Sequence, residues 1–317
     1  MKITHPVPAI VILVLCLAAF SSAAHADQQS NFQIAPSPIA YPYFESGRTD
    51  MTAGGALVSI SMGELSLLGA NGEFKGRGAF TEFLALDFEA GLMMMGGTMP
   101  GIPPITTIYT SSAPYTPYFT RVDGDATLFL FGMRASTNIE IQAIHTSDFS
   151  LIFFAGPNFG FSLFTINTPY SVIVPPPFAN QGEVFSGYTD TVNINSTTYG
   201  IQYGVQFDIP LGGQVRLSPF FMISSFKGSA TLTDNPGYSG AGSTSITVDI
   251  PNTVSMSYGF DIIFDDISIG TVLQQLQSSA KGSEKQRVIQ ISASYHFSGG
   301  SEGEEKKHGF EPEPPEK

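Results

Sequence analysis

The sequence predicts an all-β fold: a transmembrane, antiparallel, up-and-down β-barrel of about ten strands, within a range of eight to twelve. Two observations carry this reading. The first is alternation. Across 287–297, Arg287, Ile289, Ile291, Ala293, Tyr295 and Phe297 share one face, while Val288, Gln290, Ser292, Ser294 and His296 share the other. Side chains of a strand point to opposite faces with a period of two, so one face is apolar and the other small and polar. The pattern recurs at 199–209, where Tyr199, Ile201, Tyr203, Val205, Phe207 and Ile209 oppose Gly200, Gln202, Gly204, Gln206 and Asp208. It recurs again at 246–264, where the even positions run from Ile246 to Phe264 and the odd ones include Asp249 and Asp261. A soluble sandwich also alternates, but Gly, Gln and Asp set against Phe and Tyr suit a polar lumen and a lipid-facing band.

The second observation is hydrophobicity without a helix. Outside its first residues the chain has no apolar run near the roughly 20 residues a spanning helix needs. Lipid admits only helices or closed barrels, because every backbone group must be satisfied. Composition agrees: 33 Gly, 26 Phe and 12 Tyr, with charged residues at 13%.

The elements follow in order. Residues 1–26 read as a secretory signal: Lys2, an apolar core from Ala9 to Phe20, and Ala24-His25-Ala26 as the cleavage site. The sole cysteine, Cys16, lies inside it, and Leu15 before it argues against lipidation, so the mature chain carries no thiol chemistry. Without Lys2, thirteen Lys and Arg stand against 27 Asp and Glu, a net charge of −14. Such an acidic chain excludes nucleic acid as a partner. A Pro-rich leader, 27–52, reads as extended and periplasmic. The barrel is expected over 53–297, with strands near 54–64, 72–81, 84–95, 126–142, 150–167, 197–209, 214–228, 244–264, 266–276 and 286–297. Short turns at 81–83, 143–149, 210–213 and 265–266 alternate with long loops at 96–125, 168–196 and 229–243. Short turns are periplasmic and long loops external in such barrels. The 21 residues from Thr244 to Phe264 exceed the roughly 9–11 needed to cross, so their start projects outward. Residues 298–317, rich in Glu and Pro, read as a disordered acidic tail.

On the strength of its last strand the chain resembles small Gram-negative outer-membrane β-barrel proteins. Their terminal aromatic signature has its counterpart in Ile289, Ile291, Ala293, Tyr295 and Phe297. The resemblance covers about 53–297 and implies a place in the bacterial outer membrane, among its lipids and lipopolysaccharide. It also implies partners in biogenesis, the barrel-assembly machinery and periplasmic chaperones. In this chain twenty residues follow the signature, which usually ends the chain.

Register places Glu73, Lys75, Arg77, Asp87, Glu89, Arg134, Glu140, Asp208, Arg216, Asp249 and Asp261 in the lumen. A barrel of this size is filled by side chains, whereas open pores need 16–18 strands. A network of ion pairs and hydrogen bonds is therefore expected, and any narrow path would prefer cations. Catalysis finds little support. His145-Thr146-Ser147 has the His-x-Ser spacing of lipid A deacylases, but only those two residues match and no carboxylate accompanies them. The other mature histidines, His296 and His308, sit at the periplasmic end or in the tail. The glycines at 69, 72, 76 and 78 precede no helix and suit a hairpin better than a phosphate cradle. Asp265-Asp266 reads as a turn. No metal spacing and no cofactor motif is present. Lys227, Lys281, Lys285 and Arg287 are placed at the outer rim, within reach of lipopolysaccharide phosphates.

The expected function is that of a non-enzymatic envelope protein, structural or a narrow channel for small solutes. The alternative is a surface-binding protein acting through its long loops, with Tyr109, Tyr115, Tyr118, Phe119 and Tyr188 as aromatic anchors for an unknown ligand. A lipid-modifying enzyme ranks last.

Overall fold

The computed structural model describes residues 44–62, 65–101, 119–146, 149–173, 184–212, 214–235, 237, 243–278 and 286–299. The expectations for the signal, most of the leader, Ser147, Tyr109, Tyr115, Tyr118, Lys281, Lys285 and the acidic tail beyond Gly299 fall outside these residues. Among the described residues there are eleven strands: β1 Thr49–Met62, β2 Leu65–Ala79, β3 Leu84–Met99, β4 Phe119–Val122, β5 Ala126–Thr146, β6 Phe149–Ile173, β7 Val184–Gly212, β8 Val215–Asn235, β9 Thr244–Phe264, β10 Ile267–Ser278 and β11 Gln286–Gly299.

Ten of them close a ring. Each pairs antiparallel with its neighbours, β3 pairs β5, β6 pairs β7, and β11 returns to β1. The four-residue β4 stands outside the ring and extends the β5 side of β6 past the point where β5 begins. Following partnered residues from Ala155 of β6 through Tyr203, Ile223, Met256, Gln275, Arg287, Ser61, Ser66, Thr98 and Thr127 returns to Asn167 of the same strand, twelve residues on. With about 3.3 Å rise and 4.8 Å spacing, a stagger of twelve over ten strands tilts them by about 40°. That is the geometry of a closed transmembrane sheet.

Leu57, Leu68, Leu92, Ile139, Ile201 and Ile291 are each more than half exposed and circle the outer wall. An apolar surface of this extent demands lipid. Tyr203 lies in this belt, 48% exposed, on the face that alternation assigned to lipid. Among the described residues no helix is long and apolar enough to cross a membrane.

The walls differ in height. β10, β11, β1, β2 and β3 are 12–16 residues long, whereas β5 to β9 are 21–29. Strands on the tall side run into stretches read from the sequence as loops, since 168–173, 184–196 and 229–235 are strand. Their Thr, Asn and Ser content made them look irregular, but ladder hydrogen bonds between adjacent long strands outweigh weak propensity. The opening residues of β9 stand in this projecting wall and are exposed.

The barrel is also wider in sequence than expected. It begins at Thr49 rather than 53 and ends at Gly299 rather than 297, because β1 and β11 pair in register from Thr49–Gly299 to Met62–Gln286. Before β1 the chain turns through Gly47, at φ 81°, a conformation that glycine adopts without strain. The Gly47 N–H donates to the Ala79 carbonyl at 2.9 Å, which ties the residues just before β1 to the end of β2.

Candidate functional site

Among the described residues the lumen gathers the buried ionisable side chains, and it divides into two layers. Toward the short turns, the end that the loop lengths lead us to expect on the periplasmic side, it is polar. Glu73, Lys75 and Arg77 alternate along β2; Asp87 and Glu89 face them from β3; Arg134, Ser136, Asn138 and Glu140 come from β5. Period-two spacing puts each set on the inner face. Arg77 grips Glu140 through both nitrogens of its fork, Nη2 reaching Oε1 at 2.7 Å and Nε reaching Oε2. A bidentate pair of this kind is the strong form of the contact. Lys75 lies 3.4 Å from Glu73, and Arg216 lies 2.6 Å from Asp208. Asp87 accepts from both the backbone and side-chain N–H of Asn138 at 2.8 Å, and Glu89 accepts from the Ser136 hydroxyl at 3.0 Å. Gln202 donates to Asn138 at 3.0 Å, and Asn158 donates to Ser224 at 3.1 Å, which carries the network across to β6, β7 and β8. Asp261, on β9, projects inward beside Gly270 of β10, where any side chain would collide with its carboxylate.

Toward the external loops the inner face is apolar. Val58, Ile60, Leu67, Met93, Met95, Leu128, Leu130, Ile166, Val192, Phe226, Leu276 and Val288 are buried against one another across the barrel. Phe154, Phe220, Met222 and Val272 form a smaller cluster lower down, and the absence of a side chain at Gly204 leaves room for the Phe154 ring. Where the layers meet, a void of about 20 Å³ is lined by Met93, Leu130, Arg134, Asn158 and Phe226. A single water needs roughly 10–15 Å³, so this void is far too small for an ion path.

The periplasmic mouth carries its own cap. Phe44 is buried between Ala79, Ala85 and Ile152, its N–H donates to Gln142 at 3.1 Å, and the Arg77 guanidinium lies 5.7 Å from its ring centre. Cation–π contact and apolar burial both hold the ring there.

Ten of the eleven candidate lumen residues thus line the barrel interior. Asp249 does not. It lies exposed on the projecting part of β9, opposite Ser229. A register shift between Phe226 and Gly228 exchanges the two faces of the ladder, so counting by twos from Asp261 fails above it. In the last strand, Ile289, Ile291, Ala293, Tyr295 and Phe297 face outward, with the Tyr295 and Phe297 rings 4.8 Å apart. Lys227 and Arg287 are exposed on the same outer surface, Lys227 lying 5.6 Å over the Tyr199 ring.

His145 meets Ser150, Nδ1 to Oγ 3.0 Å, at the periplasmic end of the β5–β6 hairpin. Ser150 is 1% exposed, which leaves no approach for a substrate. The nearby Asp208 is held by Arg216. His296, buried, contacts the Thr52 hydroxyl at 3.1 Å. Among the described residues no group of three or more His, Cys, Asp or Glu could hold a metal ion.

No protein-family model matches this chain, and neither does any curated protein. Solved structures do resemble it. The outer membrane protease OmpT from Escherichia coli matches 80% of this chain and 98% of its own, at 10% identity and a TM-score of 0.46. OprG, an outer membrane protein from Pseudomonas aeruginosa, matches 80% and 97%, at 10% identity and 0.38. The translocator domain of the autotransporter NalP from Neisseria meningitidis matches 91% and 95%, at 8% identity and 0.39. These proteins differ widely in role. The likeness is one of architecture, and the barrel assignment rests on the closed ring itself.

Proposed function

We propose that this chain is a non-enzymatic barrel of the bacterial outer membrane whose lumen is closed, so that its role is structural rather than conductive. The supporting observation is the apolar layer across the external half of the lumen, running from Val58 and Ile60 to Leu276 and Val288. Removing water from this layer disfavours any hydrated ion, and in the polar layer beneath it Arg77 is held by Glu140 and Arg216 by Asp208. At the other end Phe44 is packed against Ala79, Ala85 and Ile152. The reading departs from a channel, and purified protein in planar bilayers is expected to give no stable current steps. Regular steps at neutral pH would overturn it.

The tall wall supports a second reading, that the external surface engages a partner. Nothing in the residues names the ligand. Shaving the external loops with a protease while the barrel remains folded would abolish binding to cells or matrix if that reading holds, and unchanged binding would remove it.

A further inference from the structure

Two exposed cations mark one level on the outer wall. Arg287 of β11 and Lys227 of β8 both face outward. Measured from Ala155, Arg287 lies five strands along the ladder, whereas Lys227 lies two strands along and four residues up β8. At a tilt of about 40°, each strand crossed adds about 3 Å of height and each residue about 2.5 Å. Both cations therefore stand about 15 Å above Ala155. On the outward face of β11, Phe297 follows Arg287 by ten residues and lies about 25 Å lower. That matches the apolar band of an outer-membrane barrel, whose edges aromatic residues mark. Tyr295 and Phe297 supply one edge. Tyr199 supplies the other, its ring centre 5.6 Å from Lys227 Nζ.

Above that level the two flanks part. On the short flank β11 begins at Gln286 and β1 ends at Met62, each one residue past the Arg287 row. On the tall flank β8 continues from Lys227 to Asn235, about 20 Å higher. Its outward face, with those of β6, β7 and β9, is built of amides and hydroxyls. Thr165 donates to Asn193 at 3.0 Å, and Thr191 donates to Asn167 at 2.9 Å. The Thr231 and Thr247 hydroxyls lie 3.0 Å apart, and those of Thr233 and Ser245 lie 3.3 Å apart. These bonds hold the side chains in rows and use the amide oxygens of Asn167 and Asn193, whose N–H groups can donate to a ligand. Asp249, one row above Lys227, is the one charge on this face among the described residues beyond Lys227. A surface facing bulk water carries roughly 25–35% charged residues. This flank departs from that composition.

We propose that the outer flank of β6 to β9 is a docking surface for the membrane's own phosphorylated glycolipid, lipopolysaccharide. Lys227 takes a phosphate at the acyl boundary, and the amide and hydroxyl rows above it take the sugars. Asp249 repels further phosphate, which keeps the anionic part at the level of Lys227. Continuity names the occupant. The outward face of β7 runs unbroken from Tyr203 and Ile201 in the lipid belt, through Tyr199, to Thr197 and Asn195. The short flank offers a phosphate contact at Arg287 but no rows for sugars. The proposal rests on the outer-membrane placement with the tall end outside, and is independent of whether the lumen conducts.

The full protein in phosphatidylethanolamine vesicles can be given either lipopolysaccharide with its core sugars or lipid A without them, and the glycolipid retained after detergent washing counted. Retention of the sugar-bearing form is expected to exceed that of lipid A about tenfold, which one or two net hydrogen bonds supply. Thr231→Val with Thr247→Val should abolish that preference and leave lipid A retention unchanged. Asn193→Ala with Asn195→Ala should do the same, which guards against a folding defect in one pair. Lys227→Gln should lower retention of both forms, whereas Arg287→Gln should leave the sugar preference intact. Equal retention of the two glycolipids by the wild type, or a preference that survives both pairs, would overturn the surface. Free core oligosaccharide that displaced the glycolipid at equal concentration would point to a soluble glycan and equally overturn it. Placement is read separately: the mature chain has no cysteine, so Ser245→Cys should react with a membrane-impermeant maleimide on intact cells. Absence of that labelling would overturn the placement, and the surface with it.

Discussion

The two layers of the lumen solve the same packing problem by opposite means. The periplasmic layer buries charge and spends it on partners: Arg77 on Glu140, Arg216 on Asp208, Asn138 on Asp87. The external layer is built mainly of buried Val, Ile, Leu and Met, with Asn71 between Ala56 and Met93 as a polar side chain among them. A buried ion pair contributes little net stability compared with apolar residues of the same shape, yet it is costly to break. The polar layer therefore dictates which residues face one another, and the apolar layer supplies exclusion of water. A barrel needs no apolar interior to stand in lipid, so the second layer points to closure as a selected property.

The comparison can be broken most forcefully at its polar end. Glu140→Ala leaves the Arg77 guanidinium buried without its bidentate partner, and should cost about 3–5 kcal/mol in urea unfolding from lipid. Replacing both residues by Met should recover most of that. A loss below about 1 kcal/mol for Glu140→Ala would erase the distinction between the layers. In the apolar layer, Leu130→Ala should cost about 2–5 kcal/mol by cavity formation. Combined with Leu128→Ala it should also admit a small ionic leak in bilayers, which the Arg77 and Glu140 double variant should not. A leak from the polar variant instead would move the seal to the other layer. On the outer wall, Tyr203→Arg should cost about 2–4 kcal/mol if the residue lies near the midplane. Equal stability in lipid would contradict the register. Smallest of all, Asp249→Asn should change stability by no more than about 0.5 kcal/mol, as expected for an exposed residue away from any pair. Asp261→Asn, inside the lumen, should change it measurably, and equal effects from the two would undo the assignment of Asp249 to the projecting wall.

The legibility of the sequence follows the same division. Where one face is greasy and the other polar, as at 199–209 and 287–297, alternation alone orients every residue. The lower lumen is written this way, and Glu73, Lys75 and Arg77 announce their face by their spacing. The upper lumen is not. In β1, Leu57 is 67% exposed and Val58 fully buried, and both are aliphatic, so no polarity contrast tells the inside from the outside. The same holds for Met93, Met94 and Met95, where the outer one is 56% exposed and its neighbours are buried. Asp249 was misplaced by a register shift that leaves no mark in composition. Phe44, in a segment read as leader, takes part in the periplasmic cap only because β2, β3, β5 and β6 bring Ala79, Ala85, Gln142 and Ile152 to it. Contacts between residues so far apart in the chain are invisible to any local pattern.

The seam between β1 and β11 has a consequence for how the molecule is made. Fourteen residues at the start of the sheet find their second partner only in the strand that leaves the ribosome last. Until β11 is in place, one edge of β1 has nothing of its own to bond and stays open to stray strands. Closing the ring therefore requires that β11, the last strand in the sheet, reach β1, and every earlier strand pairing can form before that one.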